Sequence, residues 1–366
     1  MATWKKELLK RDNGELVNMQ VPEIISASRS TDIPAFYADW FFYRLKKGYV
    51  AWNNPFNGSR LYVSFKNTRF IVFWSKNPRP LLQHLDELGD IGCYIQYSLN
   101  DYEKEGLEKG VPALESRIDT FKRLVDILGY GHVVWRFDPL VLTDCISIDG
   151  ILEKIDYIGN RLKGYTEKLV FSYADILAYK KVKANLEKEQ VSYHEWQEDE
   201  MLDFAGRLAE LNGQEGWNYA LATCSERLNP ERAKDGRRIL FEKYGIAPNR
   251  CIDDELIIRL AYKDSELMNF LKVKFHPMPE KDLFGSSTPL PDDAIVLDNG
   301  TYATRGNNND TGQRAFCGCI MSKDIGQYNT CIHVCEYCYA NASKDKARHN
   351  FKLHQHNPLS ETITGD

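Results

Sequence analysis

The chain has no long apolar run, no apolar leader and no basic surplus, and each absence removes a class of function. A membrane-crossing helix needs about 20 consecutive apolar residues, and no such stretch occurs, so no membrane partner is expected. The N-terminal Met1-Ala2-Thr3-Trp4-Lys5-Lys6-Glu7 has no apolar segment behind it, which argues against a secretory signal. The formal net charge of −5 gives no general reason to expect nucleic acid, whose partners usually carry a basic bias. Internal repeats are missing too, beyond an alternation of strand and helix patterns. What is present suits a globular protein. With 43% hydrophobic and 12% aromatic residues, 366 residues suffice for one large α/β domain or two ordinary ones.

Nine cysteines without a leader point to a reducing, cytoplasmic setting, and to metal or redox use instead of disulfides. Five of the nine fall between Cys317 and Cys338. Cys331, Cys335 and Cys338 stand at C-x3-C-x2-C spacing, with Tyr337 just before the third. A cubane [4Fe–4S] cluster takes one cysteine per iron, so three thiolates leave one iron open. Zinc is the competing occupant, because it too is held by closely spaced thiolates, commonly in paired C-x2-4-C arrangements. The asymmetric triplet favours iron–sulfur. His333, between the ligands, reads as exposed.

Upstream, Cys317 and Cys319 form a C-x-C pair. One of them would close the fourth iron, or the pair would join Cys224 and Cys251 in a second site. The second option is preferred, since four thiolates complete an auxiliary iron–sulfur cluster or a zinc site. Cys251 precedes a helix expected from Asp253, a position that lowers a thiol pKa. Cys93 lies in an apolar strand and reads as core; Cys145 has no assignment.

Six short apolar, β-rich runs end abruptly in polar residues, and helical patterns separate them. Their ends place Arg29, Asp32, Lys76, Asn77, Asn100, Asp101, Arg136, Asp138, Asp175, Cys224 and Glu226 on one face, because in parallel βα architectures the loops after the strands lie together. Helices are expected over Pro34–Lys47, Pro80–Leu88, Val111–Leu128, Ile148–Leu162, near Ala174–Glu189 and Tyr193–Leu211, and over Pro230–Tyr244, Asp253–Tyr262 and Ser265–Val273. Tyr49–Trp52 and Leu61–Phe65 read as an inserted hairpin, and the proline-rich stretch from His276 to Asp293 as a linker. The sheet would close, wholly or partly, into a barrel. Arg136 and Asp138 flank Phe137 and precede Pro139, a charged pair in a rigid extended turn, and arginine suits bidentate recognition of a carboxylate. Arg29-Ser30-Thr31-Asp32 leads into a helix N-terminus, which favours anions.

Cys331, Cys335 and Cys338 with Tyr337 resemble the cluster motif of the radical S-adenosylmethionine (SAM) enzymes, although that family usually carries it near the start of its barrel. More closely, the chain resembles an uncharacterised bacterial family named only as a domain of unknown function. The shared segments are Ser26-Ala27-Ser28-Arg29-Ser30-Thr31-Asp32-Ile33-Pro34, Phe73-Trp74-Ser75-Lys76-Asn77-Pro78, Arg136-Phe137-Asp138-Pro139 and the C-terminal cysteine block. The resemblance implies an α/β fold, a partial (β/α)6-type TIM-like barrel of the radical SAM kind. Residues 1–275 would form it, and 276–366 a linker and loop-rich cysteine segment packed on its mouth. It also implies a [4Fe–4S] cluster and SAM, with a ferredoxin or flavodoxin as electron donor and an unknown substrate. Arg136 and Asp138 are then the expected catalytic contacts, and Arg29, Asp32, Lys76 and Asn77 the expected cofactor contacts. The Gly-Gly-Glu segment that commonly holds the SAM amino group is missing after the second strand, as is the glycine-rich stretch near the fifth. Two other readings stay open: a closed-cluster electron-transfer or structural protein, and a zinc-stapled binding module.

Overall fold

The computed structural model describes residues 4–55, 57–224, 233–280, 288–314 and 317–366. Its centre is a parallel sheet of eight strands: β1 (Ile24–Ala27), β2 (Phe70–Ser75), β3 (Gly92–Ser98), β4 (Val133–Leu140), β5 (Lys168–Tyr173), β6 (Ala220–Thr223), β7 (Ala247–Pro248) and β8 (Lys323–Asp324). The order is β7-β6-β5-β4-β3-β2-β1-β8, so seven strands follow the chain and the last returns to the opposite edge. All neighbours pair in parallel. The fold is α/β, as expected, with two short strands beyond the six anticipated.

No closed barrel is found. Among the described residues, the outer edges of β7 and β8 have no strand partner. Just beyond β7 and before β8, the Ile320 N–H donates to the Ile252 carbonyl at 3.1 Å, a single backbone bond across the seam.

Both faces of the sheet are apolar, as parallel sheets require. Ile25, Phe73, Ile95, Trp135 and Phe171 pack in the larger core cluster, together with Ile118 and Phe121 of the helix Leu114–Leu128 and Ile151 and Ile155 of the helix Ile148–Leu162. Ile24, Val72, Tyr94, Val134, Val170 and Ala222 occupy the other face, against Leu256 and Ile257 of the helix Asp254–Ala261 and Leu267 of Ser265–Phe270. Side chains alternate with period two. The next residues of that second face, one step towards the strand ends, are therefore Trp74, Gln96, Arg136, Ser172 and Cys224. Apolar alternation thus aims these five side chains into the mouth of the sheet.

The helix Ile148–Leu162 has its expected bounds, capped by Ser147, whose Oγ accepts from the Gly150 N–H at 3.1 Å. The segment expected as one helix from Pro34 breaks at Tyr37 into Ile33–Phe36 and Ala38–Lys47. Pro80–Leu88 forms two short 3-10 helices, Arg79–Gln83 and Leu85–Leu88. The expected hairpin is present as Tyr49–Asn53 against Arg60–Ser64, inside a four-stranded sheet with Lys6–Lys10 and Leu16–Gln20. His276 and Pro277, expected in a linker, belong to the strand Lys274–Pro277, which pairs with Thr301–Thr304. Glu226 lies outside the described residues, and the helix expected from Pro230 is described from Ala233 to Tyr244. Among the described residues no helix is long and apolar enough to cross a membrane.

The return of β8 rests on Asp324. Its carboxylate accepts from Ser26 Oγ and Ser28 Oγ at 2.9 Å, from the Arg29 N–H at 2.8 Å and from the Gly326 N–H at 3.0 Å. Asp324→Ala strands several of these donors in a poorly solvated corner, and each costs about 1–3 kcal/mol. A loss of roughly 3 kcal/mol in denaturant unfolding is expected; a change below about 0.5 kcal/mol would show that the contacts are incidental.

Candidate metal centre

The segment after β8 crosses the C-terminal ends of the strands and is held there by its backbone. The Thr330 carbonyl accepts from Tyr37 OH at 2.7 Å and the Cys331 carbonyl from Asn341 Nδ2 at 2.8 Å. The Glu336 N–H donates to the Leu107 carbonyl at 2.9 Å, and the Gly110 N–H to the His333 carbonyl at 3.2 Å. The approach at Gly110 is close enough to demand glycine: a Cβ there would lie 2.5 Å from the His333 oxygen.

His333 is buried at 1% exposure, which corrects the expectation of an exposed ring. Its Nε2 lies 2.8 Å from Asp32 Oδ2 and its Nδ1 3.0 Å from the Gly110 carbonyl. Both ring nitrogens are thus within hydrogen-bond distance of oxygen, which fixes the orientation of the ring. Asp32 also accepts from Ser75 Oγ at 2.7 Å, from the Lys76 N–H at 2.8 Å and from the Ala35 N–H at 3.0 Å. The helix N-terminus expected to attract an anion is thus occupied by the protein's own carboxylate.

Lys76 Nζ donates to Glu108 Oε1 at 2.7 Å and to Tyr337 OH at 2.9 Å. Tyr337 OH also touches Glu108 Oε1 and accepts from Asn100 Nδ2 at 3.1 Å. Burial alone would raise the Glu108 carboxyl, but the Lys76 and Arg117 charges overturn it and hold it at about 2. Tyr337, chosen from the sequence only for its spacing, is the link between the cysteine loop and the ends of β2 and β3.

The three thiols of this loop are pushed upward, chiefly by burial and then by one another or by nearby carboxylates. Burial likewise raises Cys338. They influence one another electrostatically, but no thiol–thiol hydrogen bond contributes to their shifts. Burial disfavours the thiolate of each free thiol, and a metal that takes their protons turns all three into ligands. Among the described residues no set of three or more His, Cys, Asp or Glu side chains surrounds one metal-ion position. A cubane makes no such demand, since each thiolate binds a different iron. The donor set of one buried and two partly buried thiols beside the Lys76 ammonium fits an anionic cluster.

The other four cysteines meet at the seam. Cys224 Sγ and Cys251 Sγ are 3.1 Å apart, and Cys319 Sγ accepts from the N–H groups of Cys251 at 3.2 Å and Ile252 at 3.5 Å. Cys317 is in hydrogen-bond contact with Cys319, which lowers its thiol to about 6. Cys251 does not show the lowered pKa expected from its helix: contact with Cys224 pulls it down, but contact with Cys319 and burial outweigh this and raise it. Arg136 reaches Cys251 Sγ at 3.5 Å and Cys224 Sγ at 3.6 Å. It also donates to Gln96 Oε1 at 3.1 Å and pairs with Asp138, whose other oxygen takes the Ser172 hydroxyl. The register slips between Phe171 and Tyr173 opposite Phe137 and Leu140, a bulge at Asp138.

Trp74 packs against the same cluster as Cys224, Cys251 and Cys317, with the Arg136 guanidinium 5.3 Å and the Arg29 guanidinium 5.9 Å from its ring. Arg29 donates to Gln313 Oε1 at 3.0 Å and Ser322 Oγ at 3.2 Å. The Asn77 N–H donates to Ser75 Oγ at 2.9 Å. Asp101 pairs with Lys154 at 3.8 Å, away from the cysteines. Cys93 is buried in the core and Cys145 is exposed. Glu108 and Trp74 were not picked out by their sequence context, and His333 was noted only for its place between the ligands; Trp74 had a readable signal, its place one step beyond Val72 on the same face of β2.

Residues 24–340 match the model of a family described as a domain of unknown function, DUF1848. No curated protein and no solved structure matches the chain.

Glu108→Gln leaves Lys76 buried beside a neutral amide and is expected to cost about 3–5 kcal/mol at pH 7. The native carboxyl is depressed from 4.5 to about 2, so its stabilisation is present above pH 4.5 and is lost as pH falls towards 2. Unfolding free energies of the two proteins should therefore converge over that window; a gap independent of pH would disprove the ionic role.

Proposed function

We propose that this chain, which belongs to the DUF1848 family, is a radical SAM-type enzyme whose Cys331, Cys335 and Cys338 hold a [4Fe–4S] cluster with one open iron. The observation that carries the reading is the triplet itself, Cys335 buried and Cys331 and Cys338 partly so, on a loop that Tyr337 ties to Lys76 at the mouth of a sequentially ordered parallel sheet. When bound, such a cluster supplies an electron that cleaves SAM to a 5′-deoxyadenosyl radical, the cofactor and not the protein carrying that chemistry.

The protein's own residues bind, orient and exclude water. Lys76 offsets the negative charge of the ligated thiolates, and Glu108 with Tyr337 fixes where its ammonium sits. Asp32 and His333 fix the ligand loop against β2. Arg136 and Asp138 shape the polar floor of the mouth, with Asp138 tied to Ser172 and, through its backbone, to Asn100. The buried Trp74 Nε1 and Arg29 Nε have no hydrogen-bond partner, two donors in one corner that suit a carboxylate such as that of SAM. The hydroxyl of Tyr339, next to the third cysteine, donates to the Arg29 carbonyl at 2.9 Å and brings the ligand loop to that corner. The sequential strand order is also that of a partial (β/α) barrel of the radical SAM kind, open at one side. A ferredoxin or flavodoxin would supply the electron.

The closed-cluster reading loses ground because Cys317 and Cys319, its candidate fourth ligands, are engaged with each other and with Cys251. Anaerobic reconstitution followed by incubation with SAM and dithionite is expected to release 5′-deoxyadenosine, and Cys335→Ala to abolish both cluster absorbance and product. A full cluster that yields none with any reductant would overturn the reading. Replacing Cys317 and Cys319 together should leave product formation measurable; loss of this cluster would restore the closed form.

A further inference from the structure

We propose that Cys224, Cys251, Cys317 and Cys319 bind a single zinc ion as a tetrathiolate site at the seam between β7 and β8. The inference stands independently of the C-terminal cluster. Distance chooses between one ion and a second cubane. A tetrahedral zinc with Zn–S bonds of about 2.3 Å has sulfur–sulfur edges of about 3.8 Å. Here Cys224 Sγ and Cys251 Sγ are 3.1 Å apart, and Cys319 Sγ lies 3.2 Å from the Cys251 nitrogen, with Cys317 two residues before it. A cubane would have to spread all four over separate irons.

The surroundings are built for thiolates. Asn249 Nδ2 donates to Cys224 at 3.2 Å and to Cys251 at 3.4 Å, and Cys319 takes two backbone N–H groups at 3.2 and 3.5 Å. Arg136 reaches two of the sulfurs at 3.5 and 3.6 Å. Donors of this kind orient metal-bound sulfurs and tune their charge. Four S–H bonds would be exchanged for four Zn–S bonds, four protons leaving to solvent and the site keeping a charge of −2, beside the guanidinium of Arg136. The sulfurs run as a chain of contacts and not yet as a shell, so ligation requires the thiols to turn inward by rotation about their own side-chain bonds.

Position gives the ion a purpose. The edges of β7 and β8 do not pair, and the cysteines lie on both sides of that gap: Cys224 and Cys251 beside β6 and β7, Cys317 and Cys319 just before β8. Zinc would staple the tail that carries Cys331, Cys335 and Cys338 to the far edge of the sheet.

The test is metal and sulfide analysis of the full chain, purified anaerobically, as the wild type and as a variant with Cys331, Cys335 and Cys338 all changed to Ala. Both should hold one zinc per chain, and the variant no iron. Cys317→Ser, at the half-buried end of the chain of thiols, should bring zinc to background in both. Cobalt(II) added to the zinc-depleted triple variant should give the intense thiolate-to-metal absorption of a tetrahedral four-sulfur site at one equivalent. Iron and sulfide retained in the triple variant would identify an auxiliary cluster and overturn the proposal. So would a metal-free chain with Cys224 and Cys251 joined as a disulfide. If the triple variant does not fold, the wild type decides: zinc beside iron supports the site, iron alone refutes it. Failure to cleave SAM would leave the zinc content unchanged, so the two proposals fail separately.

Discussion

A single buried carboxylate, that of Asp32, holds together parts of the chain that have no other reason to meet. It caps the first turn of Ile33–Phe36, ties the end of β2 through Ser75 and the Lys76 backbone, and pairs with His333 across 301 residues of sequence. Closing so long a loop is less costly than it sounds, since the entropy grows only with the logarithm of loop length. What matters is that the far end finds a charged, hydrogen-bonding partner in a place water cannot serve. Remove that partner and the ligand loop loses one of its two side-chain ties to the end of β2, the other being Tyr337 to Lys76.

Much of the frame was legible because period-two burial leaves a record in the sequence. Val72, Val134, Val170 and Ala222 predict a buried face, and Trp74, Arg136, Ser172 and Cys224 one step further share it by parity. The helix Ile148–Leu162 was equally readable, from its apolar spacing and Ser147 cap. The site's supports were not. His333 stands in a loop with no periodicity, and its burial is decided by Asp32 and Gly110, neither near it in sequence. Glu108 sits in a run of charged residues that reads as a solvated turn; only Lys76, Arg117 and Tyr337 from other elements make it a buried ion. Strand β8 has two residues and carries no pattern, so its pairing with β1 appears only through Asp324. Cys251 stands before a helix, yet its thiol contacts and burial outweigh the helix end.

The seven cysteines near the mouth fall into two populations with different physics. In the triplet Cys335 is buried and Cys331 and Cys338 partly so, with a lysine alongside and no thiol–thiol hydrogen bond between them. Those at the seam touch one another and receive donors from an arginine, an asparagine and the backbone. Contact distance therefore separates groups that composition alone would merge into one metal-rich tail. Trp74, close to two guanidinium groups, packs with the seam cysteines.

The single backbone bond at the seam changes what kind of container this sheet is. A paired ladder joins two strands by several backbone hydrogen bonds, whereas here one backbone bond, worth about 1 kcal/mol, is joined by two N–H donors to Cys319 and by the packing of Ile252 against Ile320. A closed barrel has a bore fixed by strand number and tilt. Here the line between β7 and β8 is closed by side chains, with Cys319 Sγ accepting from the Cys251 and Ile252 N–H groups and Ile252 and Ile320 sharing one buried cluster, instead of by a peptide ladder.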